Sequence, residues 1–416
     1  VAQLSDDCFA GAARLMPLAE ALRSLEKLPL LAASEDVPLE QAAFRFAAAD
    51  ISTSIDVPGH TNAAVDGYAV AHAALDPTGE TRLKVMGRAS AGHPYEGAEG
   101  VVRIFTGAVL PDRCDTIVMQ EDCREENGAV IVPPGITRGA NVRQRGEDVR
   151  AGRRIIAAGQ RLLPQHLALA AACGMTRLAV RVPLRVGLFS TGDEVRETER
   201  NPGQVFDSNR ILLRALLERW GMRPVDLGLL TDTRGTIAAA LQEAALGVDL
   251  LITSGGVSTG EEDHVRAAIE EIGTLHFWRL AIKPGRPVAL GQIATPRLGV
   301  PIVGLPGNPV AVFINMVQLV RPILMRLSGA TLAPPTLFPA KAGFSWRKKP
   351  GRREWLRVSV TGRTADGLPL LGLFPRDGAG IISSLTESDG LVELAEDCRG
   401  VSEGARVDFL PYAECW

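Results

Sequence analysis

Cysteine, histidine and aromatic residues are sparse in this chain, and each scarcity removes a class of function. The six cysteines, Cys8, Cys114, Cys123, Cys173, Cys398 and Cys415, include no C-x-x-C pair. That distribution fits idle thiols in a reducing compartment better than a disulfide framework or a zinc site. The six histidines, His60, His72, His93, His166, His264 and His276, show no metal-ligand spacing. Aromatic residues make up 5% of the chain, too few for a base-stacking platform. With 45 basic and 48 acidic residues and a net charge of -3, there is no basic surplus for nucleic-acid binding, and any anionic ligand has to be met locally. G-x-G-x-x-G and G-x-x-x-x-G-K-[ST] are both missing, which weighs against a nicotinamide enzyme and a P-loop NTPase. Asp6 and Asp7 precede the first long apolar stretch, the reverse of a secretory leader, and no uncharged apolar run reaches membrane-spanning length. The expectation is a cytoplasmic protein that engages neither nucleic acid nor membrane.

What is plentiful is apolar residues, 46% of 416, enough for several cores in about two to four domains. One stretch stands out, DLLITSGGVSTGEEDHVRAAIEEIG from Asp249 to Gly273. A short apolar run gives way to glycines and hydroxyls, and then to helical spacing at Val265, Ala268, Ile269 and Ile272. Strand, tight turn and helix in that order leave backbone N–H groups free to meet a phosphate or another oxyanion. Glu261, Glu262 and Asp263 look out of place beside an anion. Either they cap the helix, or at least one of them holds a divalent cation that bridges to the anion.

From Leu184 onward, LRVGLFSTGDEV, SNRILLRALLERWG, RPVDLGLLTD, RGTIAAALQEAAL and VPIVGLPGNPVAVFINMVQLVRPIL alternate strand and helix around that stretch. The alternation predicts an α/β multidomain protein whose residues 184–332 form a doubly wound parallel sheet. Ligands of such sheets bind at the carboxyl ends of the strands. The loops there carry Glu194, Asp232, Ser254, Gly255, Gly256, Ser258, Asp263 and Asn308. Carboxylates, glycine amides and small hydroxyls on one rim suit a nucleotide or pyrophosphate bridged by Mg2+, with Glu194 and Asp263 as metal carboxylates. Lys283 and Arg286, in the IKPGRP turn, add positive charge for oxyanions.

The remaining chain divides around this unit. Cys8 to Leu28 reads as a helix with Leu15, Leu18, Ala19, Leu22 and Leu25 on one face, ended by Pro29. Ile155 to Arg181 reads as strand, helix and strand, with Pro164 in the first helical turn and Gly174 just past its end. These two pieces, 1–55 and 149–183, are expected to form one discontinuous domain, with a β domain over 56–148 inserted between them. Inside the insert, NAAVDGYAV reads as a hairpin turn in which Asp66 satisfies its own backbone. Arg143, Arg145, Glu147 and Asp148 read as a solvated linker. Residues 333–416 are expected to form a small β-barrel-like domain, with Arg357 on a strand edge protected by charge.

Taken together, TGDE at Thr191, SGGVSTGEED at Ser254, IKPGRP at Ile282 and GLPGNPVA at Gly304 resemble the signature loops of the molybdopterin molybdenumtransferases, bacterial relatives of the gephyrin E domain. The resemblance extends to VDGYA at Val65, TGAVLP at Thr106, QED at Gln120 and NVRQRGED at Asn141, and more faintly to GRREWLR and GAGIISSL in the tail. It implies an elongated homodimer that inserts molybdate into adenylated molybdopterin and releases AMP, using a cleft between the doubly wound domain of one subunit and the first two domains of its partner. By motif, Asp66, Thr106, Asp148, Glu194, Asp232 and Asp263 fall on functional positions. Lys283, Arg279 and Arg286 match basic residues near molybdate and phosphate, with Arg357 and a serine at Ser383 or Ser384. The chain departs from the family pattern at Val65, where methionine is usual. It departs again at Arg279 and Arg286, where lysines are common, and at Ser388, where SDG replaces Ala-Asn-Gly. Two other functions share parts of these motifs, a molybdopterin adenylyltransferase and a non-catalytic gephyrin-like scaffold. Implied partners are the adenylyltransferase and recipient molybdoenzymes.

Overall fold

Strands covered on both faces read as unbroken apolar runs, and Leu250–Ser254 is buried at every position. It lies near the centre of a six-stranded sheet ordered Arg223–Leu229, Arg185–Ser190, Leu250–Ser254, Val300–Leu305, Pro287–Ile293, Gly273–Arg279. The first four of these strands are parallel. The last two form an antiparallel hairpin, because residues 280–286 between them carry no crossover helix, so the sheet is mixed rather than wholly parallel. The computed structural model describes residues 15–97, 100–255, 264–296 and 299–415.

Alternate residues of each strand face opposite ways, and helices fill both sides. On one side, Leu188, Ile252 and Leu305 pack with Leu213 and Leu217 of helix Ser208–Arg219 and with Val312 and Leu324 of the long run Pro309–Leu327. On the other, Phe189, Leu251 and Ile302 pack against helices Arg234–Ala245 and His264–Ile272. The run Pro309–Leu327 has a mean hydropathy of 1.6 and the length to cross a membrane, yet 78% of it is buried inside this core. Asp207 caps helix Ser208–Arg219 by accepting the Arg210 amide at 3.1 Å.

The first described helix is Leu18–Leu25, with Leu18, Ala21 and Leu25 buried. Those residues enter the same core as the sheet, so this stretch packs on the α/β unit. The discontinuous module begins downstream, where Ser34–Pro38 pairs with Arg177–Arg181 and Ile51–Ser52 with Arg154–Ile156. Helix Pro164–Ala172 completes it, over a core of Val37, Ala47, Ile156, Leu162 and Leu178.

The insert is a sheet ordered Thr116–Met119, Gly67–Val70, Val101–Ile104, Thr81–Ala89, Ala129–Val132, Arg124–Glu126. Gly67 opens its second strand under a tight constraint: a Cβ there would fall 2.0 Å from the Val118 carbonyl oxygen. The tail forms a closed five-stranded barrel of Arg353–Arg363, Pro369–Leu373, Phe338–Ala342, Arg406–Pro411 and Gly390–Leu394, with the last strand pairing back onto the first. Closure removes the free edges. A two-residue strand of the α/β unit, Ile282–Lys283, adds in parallel to the barrel at Arg353–Glu354.

Ile252, fully buried in the central strand, reports on this core. Ile252→Ala is expected to lower unfolding stability by about 2–5 kcal/mol, measured by urea denaturation. A shift of the midpoint too small to resolve would mean that the sheet is not the cooperative core.

Candidate active site

Three loops leaving the parallel strands meet at one rim. The Gly255 amide donates to the Leu305 carbonyl at 3.0 Å, and Gly255 adopts φ +88°, which favours glycine. A Cβ on Gly255 would lie 3.8 Å from the Thr191 carbonyl oxygen, and one on Gly307 would lie 3.9 Å from Gly255 Cα. Asn209 Nδ2 ties the next helix to the rim by donating to the Gly307 carbonyl at 2.7 Å. Beneath these loops, the hydroxyls of Ser190, Thr191 and Thr253 are buried and have no hydrogen-bond partner among the described residues. Buried polar atoms are normally satisfied, so these form a floor suited to a polar ligand.

The other rim residues are placed less centrally. Glu194 is exposed and its carboxylate folds back over Gly192, where a Cβ would meet Oε2 at 2.7 Å. Asp232 is half-buried at the turn before helix Arg234–Ala245 and has no hydrogen bond among the described residues. Ser254 is buried at the end of its strand. Asn308 is exposed, with its carbonyl accepting the Val312 amide at 2.9 Å. Gly256, Ser258 and Asp263 lie outside the described residues.

A basic wall faces this rim where the barrel docks. The Val310 amide donates to the Ala379 carbonyl at 3.0 Å, joining the Pro-Gly-Asn loop to the barrel loop. Lys283 Nζ donates to Glu354 Oε1 at 2.8 Å and to Asp377 Oδ2 at 3.1 Å, and stands 5.5 Å from the centre of the Trp346 ring. Burial works against the charged ammonium, but the Glu354 and Asp377 carboxylates outweigh it and hold the Lys283 pKa above its ordinary value. Arg357 is buried rather than on an exposed edge; its Nε donates to Ser384 Oγ at 3.2 Å and its guanidinium also reaches the Gly378 carbonyl at 3.3 Å. The serine on Arg357 is therefore Ser384, while Ser383 is half-buried and uses its carbonyl to accept from Thr386 Oγ1 at 3.0 Å. Arg279 and Arg286 are exposed and form no ion pair among the described residues.

Motif reading missed three residues that organise this wall, Glu354, Asp377 and Asn315. Asn315 is fully buried, and its Nδ2 donates to the Gly285 carbonyl at 3.1 Å and the Ala311 carbonyl at 2.9 Å, pinning the IKPGRP turn. Only Glu354 carried a signal, an acid inside the alternating run GRREWLRV.

The insert presents a separate cluster. Asp66 Oδ1 accepts from the Thr106 amide at 2.8 Å and from the Thr106 hydroxyl at 2.7 Å. Asp66 thus bonds a residue distant in sequence, and the expected self-satisfied hairpin turn does not form. The Thr106 amide and then its hydroxyl hold the Asp66 carboxyl below its usual range. Asp148 is exposed; its amide donates to the Val57 carbonyl at 3.1 Å. No hydrogen bond or ion pair among the described residues joins the insert to the α/β rim or the barrel. The insert also holds a cavity of about 1030 Å³ between Leu83, Met86, Tyr95 and Cys114, but neither Asp66 nor Thr106 lines it. We place the candidate site at the rim because charge and unpartnered hydroxyls converge there.

Comparison with known proteins covers nearly the whole chain. Residues 16–174 match the MoeA N-terminal region (domain I and II), residues 187–326 a probable molybdopterin binding domain, and residues 339–412 the MoeA C-terminal region (domain IV). The chain is 34% identical over 401 residues to the molybdopterin molybdenumtransferase of Haemophilus influenzae, covering 94% of this chain and 96% of that one. It is 35% identical over 379 residues to that of Synechococcus elongatus, covering 88% and 91%. The crystal structure of the molybdopterin biosynthesis MoeA protein from Pyrococcus horikoshii OT3 superposes with a TM-score of 0.82 at 28% identity, covering 96% of this chain and 100% of that one.

The Asp66–Thr106 contact sets a titration. A lowered folded pKa adds stability above the usual aspartate range, and that stability is lost as pH falls through the lowered value. In Thr106→Val the Asp66 carboxyl is expected to titrate higher than in the native chain, though still below the free value because the amide bond remains. Carbon NMR of the Asp66 carboxyl checks this, and an unmoved titration would remove the hydroxyl from the account.

Proposed function

The chain belongs to the molybdopterin molybdenumtransferase (MoeA) family and is thus a transferase of molybdenum cofactor biosynthesis that inserts molybdenum into molybdopterin, and from that premise we propose how its residues divide the work. The substrates are adenylated molybdopterin and molybdate, and AMP leaves. The observation that carries the reading is the meeting of rim and basic wall, with the Gly255 and Gly307 loops on one side and Lys283 and Arg357 on the other.

In this reading the rim holds the phosphates. Amides at the strand ends and the hydroxyls of Ser254, Thr191 and Thr253 donate to phosphate oxygens, as helix-entry loops do for anions. Asn308 and Asp232 bound the rim. Lys283 and Arg357 receive the molybdate dianion, with Arg279 and Arg286 lowering the potential of the approach. Magnesium suits a rim with few carboxylates, since it takes one or two of them and fills its shell with phosphate oxygens and water. Glu194 and Asp263 are the carboxylates proposed to hold it. When bound it supplies charge neutralisation and a template at the pyrophosphate.

Asp66, Thr106 and Asp148 complete the site from a second copy of the chain. They carry motif matches, yet within one chain no hydrogen bond or ion pair among the described residues joins them to the rim, so a homodimer that shares the cleft gives them a role. The described cysteines, Cys114, Cys123, Cys173, Cys398 and Cys415, are all free thiols, in keeping with a reaction in the reducing cytoplasm.

Two measurements test this. Lys283→Gln, which retains a donor for Glu354, is expected to lower kcat/KM for molybdate-dependent AMP release about a hundredfold to a thousandfold; native turnover in that variant would remove Lys283 from the anion site. Asp66→Asn and Lys283→Gln proteins, each strongly impaired alone, are expected to regain activity when unfolded and refolded together, because a mixed dimer carries one intact cleft. A mixture as impaired as its parts would rule out a shared site.

A further inference from the structure

We propose that Asp377 is a built-in competitor for the oxyanion site, a carboxylate that spans Lys283 and Arg357 and has to swing away before molybdate takes its place. The inference rests on the reading that these two cations receive molybdate. Asp377 belongs to none of the motifs that carry the family resemblance.

The two acids on Lys283 are of different kinds. Glu354 is 5% exposed and lies on a barrel strand in register with Lys283 itself, so it is a fixed partner. Asp377 lies on the loop between Pro369–Leu373 and Ser383–Thr386, and its side chain is 47% exposed. Its Oδ2 is 3.1 Å from Lys283 Nζ and its Oδ1 is 3.8 Å from the Arg357 guanidinium. One oxygen faces each cation, which is how a small oxyanion would be held.

The cations are anchored independently of Asp377. Lys283 keeps Glu354 and the Trp346 ring, and Arg357 keeps Ser384 and the Gly378 carbonyl. Departure of Asp377 therefore leaves both donors in position. The charge count follows: with Glu354 and Asp377 present the two cations are balanced, and without Asp377 one positive charge is in surplus. An incoming dianion meets attraction only after the loop carboxylate has left, and like-charge repulsion prevents both from occupying the gap. The arrangement lowers the affinity of the resting cleft for free oxyanions in general. Asp377 is thus a positioning residue that acts through Lys283 and Arg357.

The test uses the full chain and molybdate itself. Equilibrium dialysis gives Kd for native protein, Asp377→Asn, Asp377→Glu and Lys283→Gln, and steady-state assays give KM for molybdate and kcat separately. Asp377→Asn is expected to bind molybdate about fivefold more tightly, the scale of one partly exposed ion pair, with KM falling in step and kcat not rising. Asp377→Glu, which keeps the charge, should stay near the native Kd. Equal or weaker binding by Asp377→Asn, while Lys283→Gln still loses binding, would overturn the competitor and leave the oxyanion site standing. Native binding by Lys283→Gln would overturn the oxyanion site itself, and the competitor with it.

Discussion

The pairing of Ile282–Lys283 with Arg353–Glu354 is the contact on which the candidate site depends. It is two residues long, yet it fuses the α/β unit to the barrel and sets Lys283 against a buried carboxylate 71 residues away. Burying a carboxylate without a partner is costly, and removing one member of such a pair leaves an uncompensated charge. Lys283 is consequently held where the barrel strand dictates rather than where a flexible turn would carry it. Asn315 reinforces the same turn from the helix beneath, and the Val310 amide fixes the opposite lip to Ala379. A basic group, a glycine rim and a barrel loop therefore share one frame.

Much of that frame was legible in the chain because it is local. A parallel strand, its glycine turn and the helix after it are neighbours in sequence, so periodicity locates the rim loops directly. The buried positions Val265, Ala268, Ile269 and Ile272 are those the helical spacing picks out. What periodicity does not carry is partnership across distance. Asp66 reads as a self-contained turn until Thr106 is found beside it. Arg357 reads as an exposed edge charge until barrel closure buries it. The first helix has an apolar face, but the pattern does not say which of several cores receives it. Likewise Ser383 and Ser384 are indistinguishable in the sequence, and only the turn of the short helix sends the second toward Arg357.

The insert shows the same logic from the other side. Gly67 is required by the approach of the Val118 carbonyl, and the same tight sheet sets Asp66 at the strand entrance, where Thr106 can reach it. The acid-glycine pair thus combines a packing constraint at the glycine with a long-range hydrogen bond at the acid. Among the described residues no hydrogen bond or ion pair joins this cluster to the rim, and each is ordered by its own sheet.

The apolar run Pro309–Leu327 has a bearing on how the chain is made. It would suit a lipid environment if left uncovered, yet every strand of the sheet that shields it precedes it in the sequence. During synthesis from the amino end the sheet leaves the ribosome first, and the helix has a partner waiting as it emerges. The discontinuous module has the opposite schedule, since Ser34–Pro38 is translated long before Arg177–Arg181 exists to pair with it. Helix Leu18–Leu25 waits longer still, for the α/β unit whose core it enters, so the nascent protein's exposure to wrong associations is concentrated in these early segments rather than in its most apolar helix.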